Sequence, residues 1–257
     1  MSLLVWIILF SLLGGVLSVL AAAVFLLLPD SARNRMLPHF VSFAIGALLG
    51  AAFLALLPHA MHGVQNFHAL GLTILIGLLG FFLLEKLVLW RHCHAEHCEA
   101  HTPDETNHGH AAGTLVLIGD GMHNLVDGVL IAAAFLTDIH LGIVTSLAVA
   151  AHEIPQEVGD FAVLLHSGYS RSKALWFNIL ASFTTLIGAL LAYWSLADFQ
   201  HMLPYILAVA ASSVIYIAVA DLIPGLHKRL HISATLQQLT LIVAGVLVIY
   251  LAHSTLH

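Results

Sequence analysis

Nine polar residues sit in two stretches that are otherwise apolar. Asp120, His123, Asn124 and Asp127 fall within GDGMHNLVDGVLIAAAF, which begins at Gly119. His152, Glu153, Gln156, Glu157 and Asp160 fall within AAHEIPQEVGDF, which begins at Ala150. On an α-helix the first four are spaced i, i+3, i+4, i+7 and share one face, and the other five form a second stripe. An ionised carboxylate at the centre of a bilayer costs roughly 2.5–3.5 kcal/mol even on a lenient insertion scale, so five unpaired ones would cost on the order of 12–17 kcal/mol. No Lys or Arg lies in either stretch. The compensating charge has to come from protons or metal ions. Carboxylate, imidazole and amide oxygen together suit a divalent transition metal.

The elements that position these residues are membrane helices. A hydrocarbon core of about 30 Å needs about 20 apolar residues to cross it. Eight runs qualify: 3–28, 38–62, 69–90, 112–136, 141–166, 173–197, 203–226 and 236–256. The chain has 257 residues, of which 60% are hydrophobic and 9% charged, where a soluble domain carries about 25% charged residues. It therefore reads as an all-α integral membrane protein in the lipid bilayer, one domain over 1–257, with no room for a separate soluble domain. The first run lacks a basic n-region, so a retained helix is expected rather than a cleaved signal peptide.

Orientation follows from the basic residues. Arg33 and Arg35 lie in the first connection, Lys86 and Arg91 flank the third, Arg171 and Lys173 mark the fifth, and Lys228 and Arg229 the seventh. The even connections and both tails contain none. Odd connections are therefore expected in the cytoplasm and both termini outside. Eight Lys and Arg in all, with no basic patch, argue against a nucleic-acid partner.

Other polar groups stand near the run ends. His59 and His62 follow Pro58 at the outer end of the second run and are candidates for metal entry, or interfacial histidines meeting water. Asp221, three residues before Pro224 at the inner end of the seventh, is a candidate for exit. Glu85 reads as a solvated group at a helix end, and His253 as structural. Asn178, Ser182, Thr184 and Thr185 in the sixth run suit helix–helix hydrogen bonds. Pro155 removes a backbone donor and is expected to widen the fifth helix next to His152. The 91–111 connection holds six of the nineteen histidines and both cysteines. His92, Cys93, His94, His97, Cys98 and His101 offer a flexible cytoplasmic chelator. Their spacing is not that of a rigid structural zinc site, and two cysteines exclude a disulfide framework. LLPH in the second run and DLIPG in the seventh form a faint internal echo of the kind inverted repeats produce.

HNLVDG at 123–128 and HEIPQEVGD at 152–160 resemble the fourth- and fifth-helix signatures of the ZIP (Zrt/Irt-like protein) metal transporters. They are most similar to the subfamily whose fifth helix reads HEIPHEVGD. Eight helices, outside termini and a His-rich connection between helices three and four extend the resemblance over the whole chain. It implies inward transport of Zn²⁺ and related divalent ions such as Fe²⁺, Mn²⁺ and Cd²⁺, with the metal as substrate and no cofactor. It implies a 3+2+3 arrangement of two inverted three-helix repeats around helices four and five, a two-metal site, and a homodimer. By motif match, His123, Asn124 and Asp127 supply ligands from the fourth helix, and His152, Glu153 and Gln156 from the fifth; Glu157 adjoins them. Gln156 departs from the subfamily's His and from the Glu of other members, and the sixth run lacks a Glu that some members use. Both departures bear on the second metal position.

Two other classes use the same residues. A proton-conducting carrier needs the carboxylates without metal, but has no use for the thiols of 91–111. An intramembrane metal-dependent hydrolase would need H-E-x-x-H, and HEIPQ lacks the second His. The expectation is a transporter rather than an enzyme. The compact chain points to a plasma membrane, that of a bacterium (the inner membrane) before that of an organelle.

Overall fold

The computed structural model describes residues 1–93, 105–196, 198–227 and 231–256. Among them stand eight long helices: α1 Leu3–Phe25, α2 Asp30–His62, α3 Phe67–Cys93, α4 Glu105–Thr137, α5 Ile139–His166, α6 Arg171–Leu196, α7 Gln200–Leu226 and α8 Ile232–Leu256. All but α5 are long and apolar enough to cross a membrane by length and composition, which makes seven candidate spans where the sequence counted eight. In α5 the apolar run is interrupted by His152, Glu153, Gln156, Glu157 and Asp160.

Two helices start about two turns earlier than their apolar runs. α2 begins at Asp30, with Pro38 inside it, and α4 begins at Glu105, so part of 91–111 is helical. A count of apolar residues sees only what lies in hydrocarbon; a helix continues through polar turns beyond it.

α4 and α5 form the centre. On one side Leu130 of α4 and Leu141 and Val144 of α5 pack with Leu48 and Leu56 of α2 and Leu207 of α7. On the other, Ile131 and Phe135 of α4 and Val149 of α5 pack with Ile7 of α1 and Ala189 of α6. Trp6, Phe10 and Phe135 stack there with centroids 5.4–6.5 Å apart. α3 and α8 lie outside, α3 against α7 and α8 against α2. They leave Leu72, Ile76, Leu79, Leu236 and Leu239 more than half exposed. A surface this apolar belongs against lipid rather than water.

Glycines let the backbones meet. A Cβ at Gly46 of α2 would fall on the Ile242 carbonyl oxygen, and one at Gly245 of α8 on that of Phe43. The same exchange joins α4 to α6, where Gly128 meets the Thr185 carbonyl and Gly188 that of Leu125. In α1, a Cβ at Gly15 would come within 2.7 Å of the Ser182 carbonyl of α6.

α5 stays α-helical through Pro155, so the widening expected there is absent. Wider π turns occur instead at Leu13–Leu17, Ala52–Leu56 and Ile217–Leu222. The last two come just before Pro58 and Pro224. A proline ring crowds the carbonyl four residues back and gives it no donor; one extra residue in the turn relieves both effects. At Pro155 a single missing bond is absorbed without a change of helix type.

Gly46→Ala should lower the thermal midpoint of the purified protein by an amount equivalent to about 1–3 kcal/mol, the usual cost of overpacking. Gly80→Ala, where a Cβ meets nothing within 4 Å, should leave the midpoint in place. Equal midpoints for the two variants, read by unfolding in detergent, would exclude the glycine contact as the α2–α8 crossing.

Candidate metal site

Asp138 joins α4 to α5 and caps α5: its Oδ1 accepts from the backbone N–H of His140 at 2.8 Å and of Leu141 at 3.0 Å. The two helices thus run antiparallel from a very short turn. His123 precedes Asp138 by about as many residues as His152 follows it. At 1.5 Å per residue that puts both roughly 22 Å from the turn, at matching heights along the two helices.

There the two polar stripes face each other. His123 Nε2 lies 3.2 Å from His152 Nε2, 3.7 Å from Asp127 Oδ2 and 3.4 Å from Glu153 Oε1. His152 Nε2 lies 3.3 Å from Asp127 Oδ2 and 3.7 Å from Glu153 Oε1. A tetrahedral ion with bonds of about 2.0–2.2 Å has ligand atoms about 3.3–3.6 Å apart. Five of the six separations among the four atoms are close to those edges, and one ligand atom from each of the four residues lies within 4.8 Å of the others. His152 Nδ1 is 3.2 Å from the Ala148 carbonyl oxygen, which only accepts. This assigns the ring proton to Nδ1 and leaves the Nε2 lone pair for a ligand.

A second group, Asp120, Glu153 and Glu157, brings three carboxylate oxygens within 4.8 Å of one another and shares Glu153 with the first. Asp120 and Glu157 are one helical turn further from the Asp138 turn than His123 and Glu153. Asp120 Oδ2 and both oxygens of Asp127, Glu153 and Glu157 are buried without a hydrogen-bond partner among the described residues. No Lys or Arg is paired with any of them there. A buried carboxylate in that state needs a cation or a proton. The side chain of His123 is 21% exposed, against 1% for Asp127 and 0% for His152 and Glu153, so His123 is the member through which the group is reached.

Asn124 stands beside these groups, but both ends of its amide are engaged. Nδ2 donates to Asp120 Oδ1 at 2.7 Å, and Oδ1 accepts from Thr185 Oγ1 at 2.6 Å. The Thr184 hydroxyl donates to the Gly121 carbonyl at 2.6 Å. α6 therefore braces α4 at the site, as its hydroxyl residues promised. Gln156 and Asp160 are half-buried on the same stripe of α5.

His59, His62 and Asp221 belong to neither group among the described residues. His59 is half-buried, with Nδ1 2.9 Å from the Ala55 carbonyl oxygen and its ring edge-on to that of His253, centroids 5.5 Å apart. The sequence reading missed this partner because His253 lies almost two hundred residues away. His62 and Asp221 are exposed. Glu85 is not merely solvated: the Tyr216 hydroxyl donates to it. His94, His97, Cys98, His101 and the side chains of His92 and Cys93 lie outside the described residues.

An all-helical chain whose outer helices turn apolar side chains outward around a polar centre is a multi-pass membrane protein. The family model described as ZIP zinc transporter matches residues 91–253, more than half of the chain. The chain is 31% identical over 229 residues to zinc transporter ZIP13 of Pongo abelii, covering 84% of this chain and 66% of that relative. It is 31% identical over 262 residues to zinc transporter ZIP13 of Mus musculus, 88% of this chain and 72% of the relative. With zinc transporter YKE4 of Saccharomyces cerevisiae it shares 31% over 219 residues, 76% of this chain and 61% of the relative. The chain belongs to the ZIP zinc transporter family. It spans about two thirds of the length of these relatives, which are named as transporters and not as enzymes.

The Thr185–Asn124–Asp120 brace can be tested. Thr185→Val should weaken Co²⁺ binding by about tenfold, the lower end for loss of an outer-shell partner, with the visible spectrum of a tetrahedral ion retained. An unchanged affinity by optical titration would remove the brace from the account of the site.

Proposed function

We propose that the protein carries divalent transition-metal ions, Zn²⁺ foremost and Fe²⁺, Mn²⁺ and Cd²⁺ with it, across the membrane into the cytoplasm. The observation that carries this reading is the set of four ligand atoms from His123, Asp127, His152 and Glu153, in which each imidazole nitrogen lies 3.2–3.7 Å from the other three atoms. Two imidazoles and two carboxylates neutralise the ion where water is excluded and replace the ligands it sheds. Asp120 and Glu157, with the shared Glu153, offer a second position one turn further on. They supply carboxylates where Gln156 carries only an amide. Asn124 holds Asp120 in place.

The ion enters past His59 or His62 and reaches the cluster at His123. It leaves on the side of Asp120, Glu157 and Asp221 toward the His- and Cys-rich 91–111 connection, which acts as a cytoplasmic chelator. α5 spans as the eighth helix, because its short turn from α4 returns the chain through the membrane. Basic residues confined to alternate connections support cytoplasmic odd connections and outside termini. Two features support inverted triplets α1–α3 and α6–α8 around α4 and α5. The third helix of each packs on the middle helix of the other, and both middle helices have a π turn before a proline. The homodimer rests on the resemblance alone. The relatives reported are eukaryotic and give a bacterial inner membrane no support.

Uptake of Zn²⁺ into proteoliposomes tests the proposal. Wild type should show saturable entry that slows as the outside is acidified, because imidazole and carboxylate ligands must lose protons to bind metal. Asp127→Ala and His152→Ala should each cut the initial rate by more than about tenfold, beyond the loss of an outer-shell group. Wild-type rates in either variant, with the protein shown to be folded, would sink the assignment.

A further inference from the structure

A cavity of about 240 Å³ opens where the ends of α1 and α5 meet the starts of α2 and α6. Its floor is apolar, with Leu26, Phe161 and Leu175, and its polar lining is Arg33, Arg171 and Ser172. No lining residue is acidic. The volume equals that of about eight liquid waters, room for a phosphodiester and part of a glycerol but not for a whole lipid. The exposed faces beside it continue the apolar floor: Leu20 and Val24 on α1, Trp176 and Leu180 on α6.

Arg33 is held in place. Its Nη1 donates to the Leu26 carbonyl at 3.3 Å and its Nη2 contacts Asp30. Asp30 is 81% exposed and does not line the cavity, so it draws one edge of the guanidinium toward water and leaves other N–H groups for a ligand. Arg171 is exposed at the first residue of α6 and makes no ion pair among the described residues. Two guanidinium groups over an apolar floor, at the membrane face that carries basic residues, match a phosphate ester attached to acyl chains. Basic pockets between membrane helices recognise anionic headgroups in this way.

We propose that this cavity is a binding site for an anionic phospholipid, its phosphate between Arg33 and Arg171 and its chains along α1 and α6. Phe161 follows Asp160 on α5, so the lipid contacts the helix that carries half of the metal-ligating residues. The site does not depend on the transport reading, and its test uses no metal.

The test is thermal unfolding of the full chain in phosphatidylcholine vesicles with rising fractions of phosphatidylglycerol. Wild type should gain stability with a saturable dependence on phosphatidylglycerol. Arg171→Gln, and Arg33→Gln with Arg171→Gln, should raise the half-saturating fraction by about tenfold or more, the loss of one to two charge-assisted contacts. Arg35→Gln, an exposed arginine of α2 outside the cavity, should behave as wild type. Arg171 is exposed, so its single variant folds even where the double variant does not. Inorganic phosphate added to phosphatidylcholine vesicles should give no stabilisation. Equal stability with and without phosphatidylglycerol, an equal loss in Arg35→Gln, or full replacement by inorganic phosphate would each overturn the lipid site.

Discussion

Buried carboxylates with no Lys or Arg partner among the described residues are the constraint on which this fold depends. Asp120, Asp127, Glu153 and Glu157 hold seven oxygens with no hydrogen-bond partner among the described residues. Lipid cannot solvate them, and no Lys or Arg among the described residues reaches them. α4 and α5 must therefore turn these stripes toward each other and be enclosed by α1, α2, α6 and α7. α3 and α8, which contribute to neither group among the described residues, are left for the outside. The same constraint explains why α5 lacks the composition of a membrane span: residues that serve the ion work against partition into lipid, and neighbouring helices have to offset them.

Enclosure demands close packing, and two devices supply it. Paired glycines bring α2 against α8 and α4 against α6 at backbone contact. That brings Thr184 and Thr185 of α6 to the polar face of α4, where they bond Gly121 and Asn124. The second device is the π turn before Pro58 and Pro224 in the helices that flank the site on one side. The irregular backbone is thus in the clamping helices rather than in α5. The ligand atoms come from regular helix, where their spacing is stiffest.

Membership of the ZIP family and the four-atom geometry fall in the same part of the chain. The family match covers 91–253, and both motifs fall within it. Where the chain departs from the motif, at Gln156, the geometry shows what stands nearby: Glu157, one residue on, joins Asp120 and Glu153 in a second carboxylate group.

The amino-acid sequence alone determined the class of fold and the polar stripes. Long apolar runs have one stable answer in a bilayer, a helix that satisfies its own backbone. Helical spacing alone puts His123 with Asp127 on one stripe, and His152 with Glu153 on another. These are local consequences of 3.6 residues per turn, and no knowledge of neighbours is needed. Only the tertiary structure decided that the stripes meet with 3.2–3.7 Å between ligand atoms. It also decided that Asn124 braces Asp120 rather than standing free, that His59 meets His253, and that Pro58 and Pro224 rather than Pro155 widen their helices. The meeting of the stripes, the Thr185 bond that orients the Asn124 amide and the contact of His59 with His253 depend on which residues of distant segments come together. Those contacts follow from packing over the whole bundle, which periodicity along one helix does not contain.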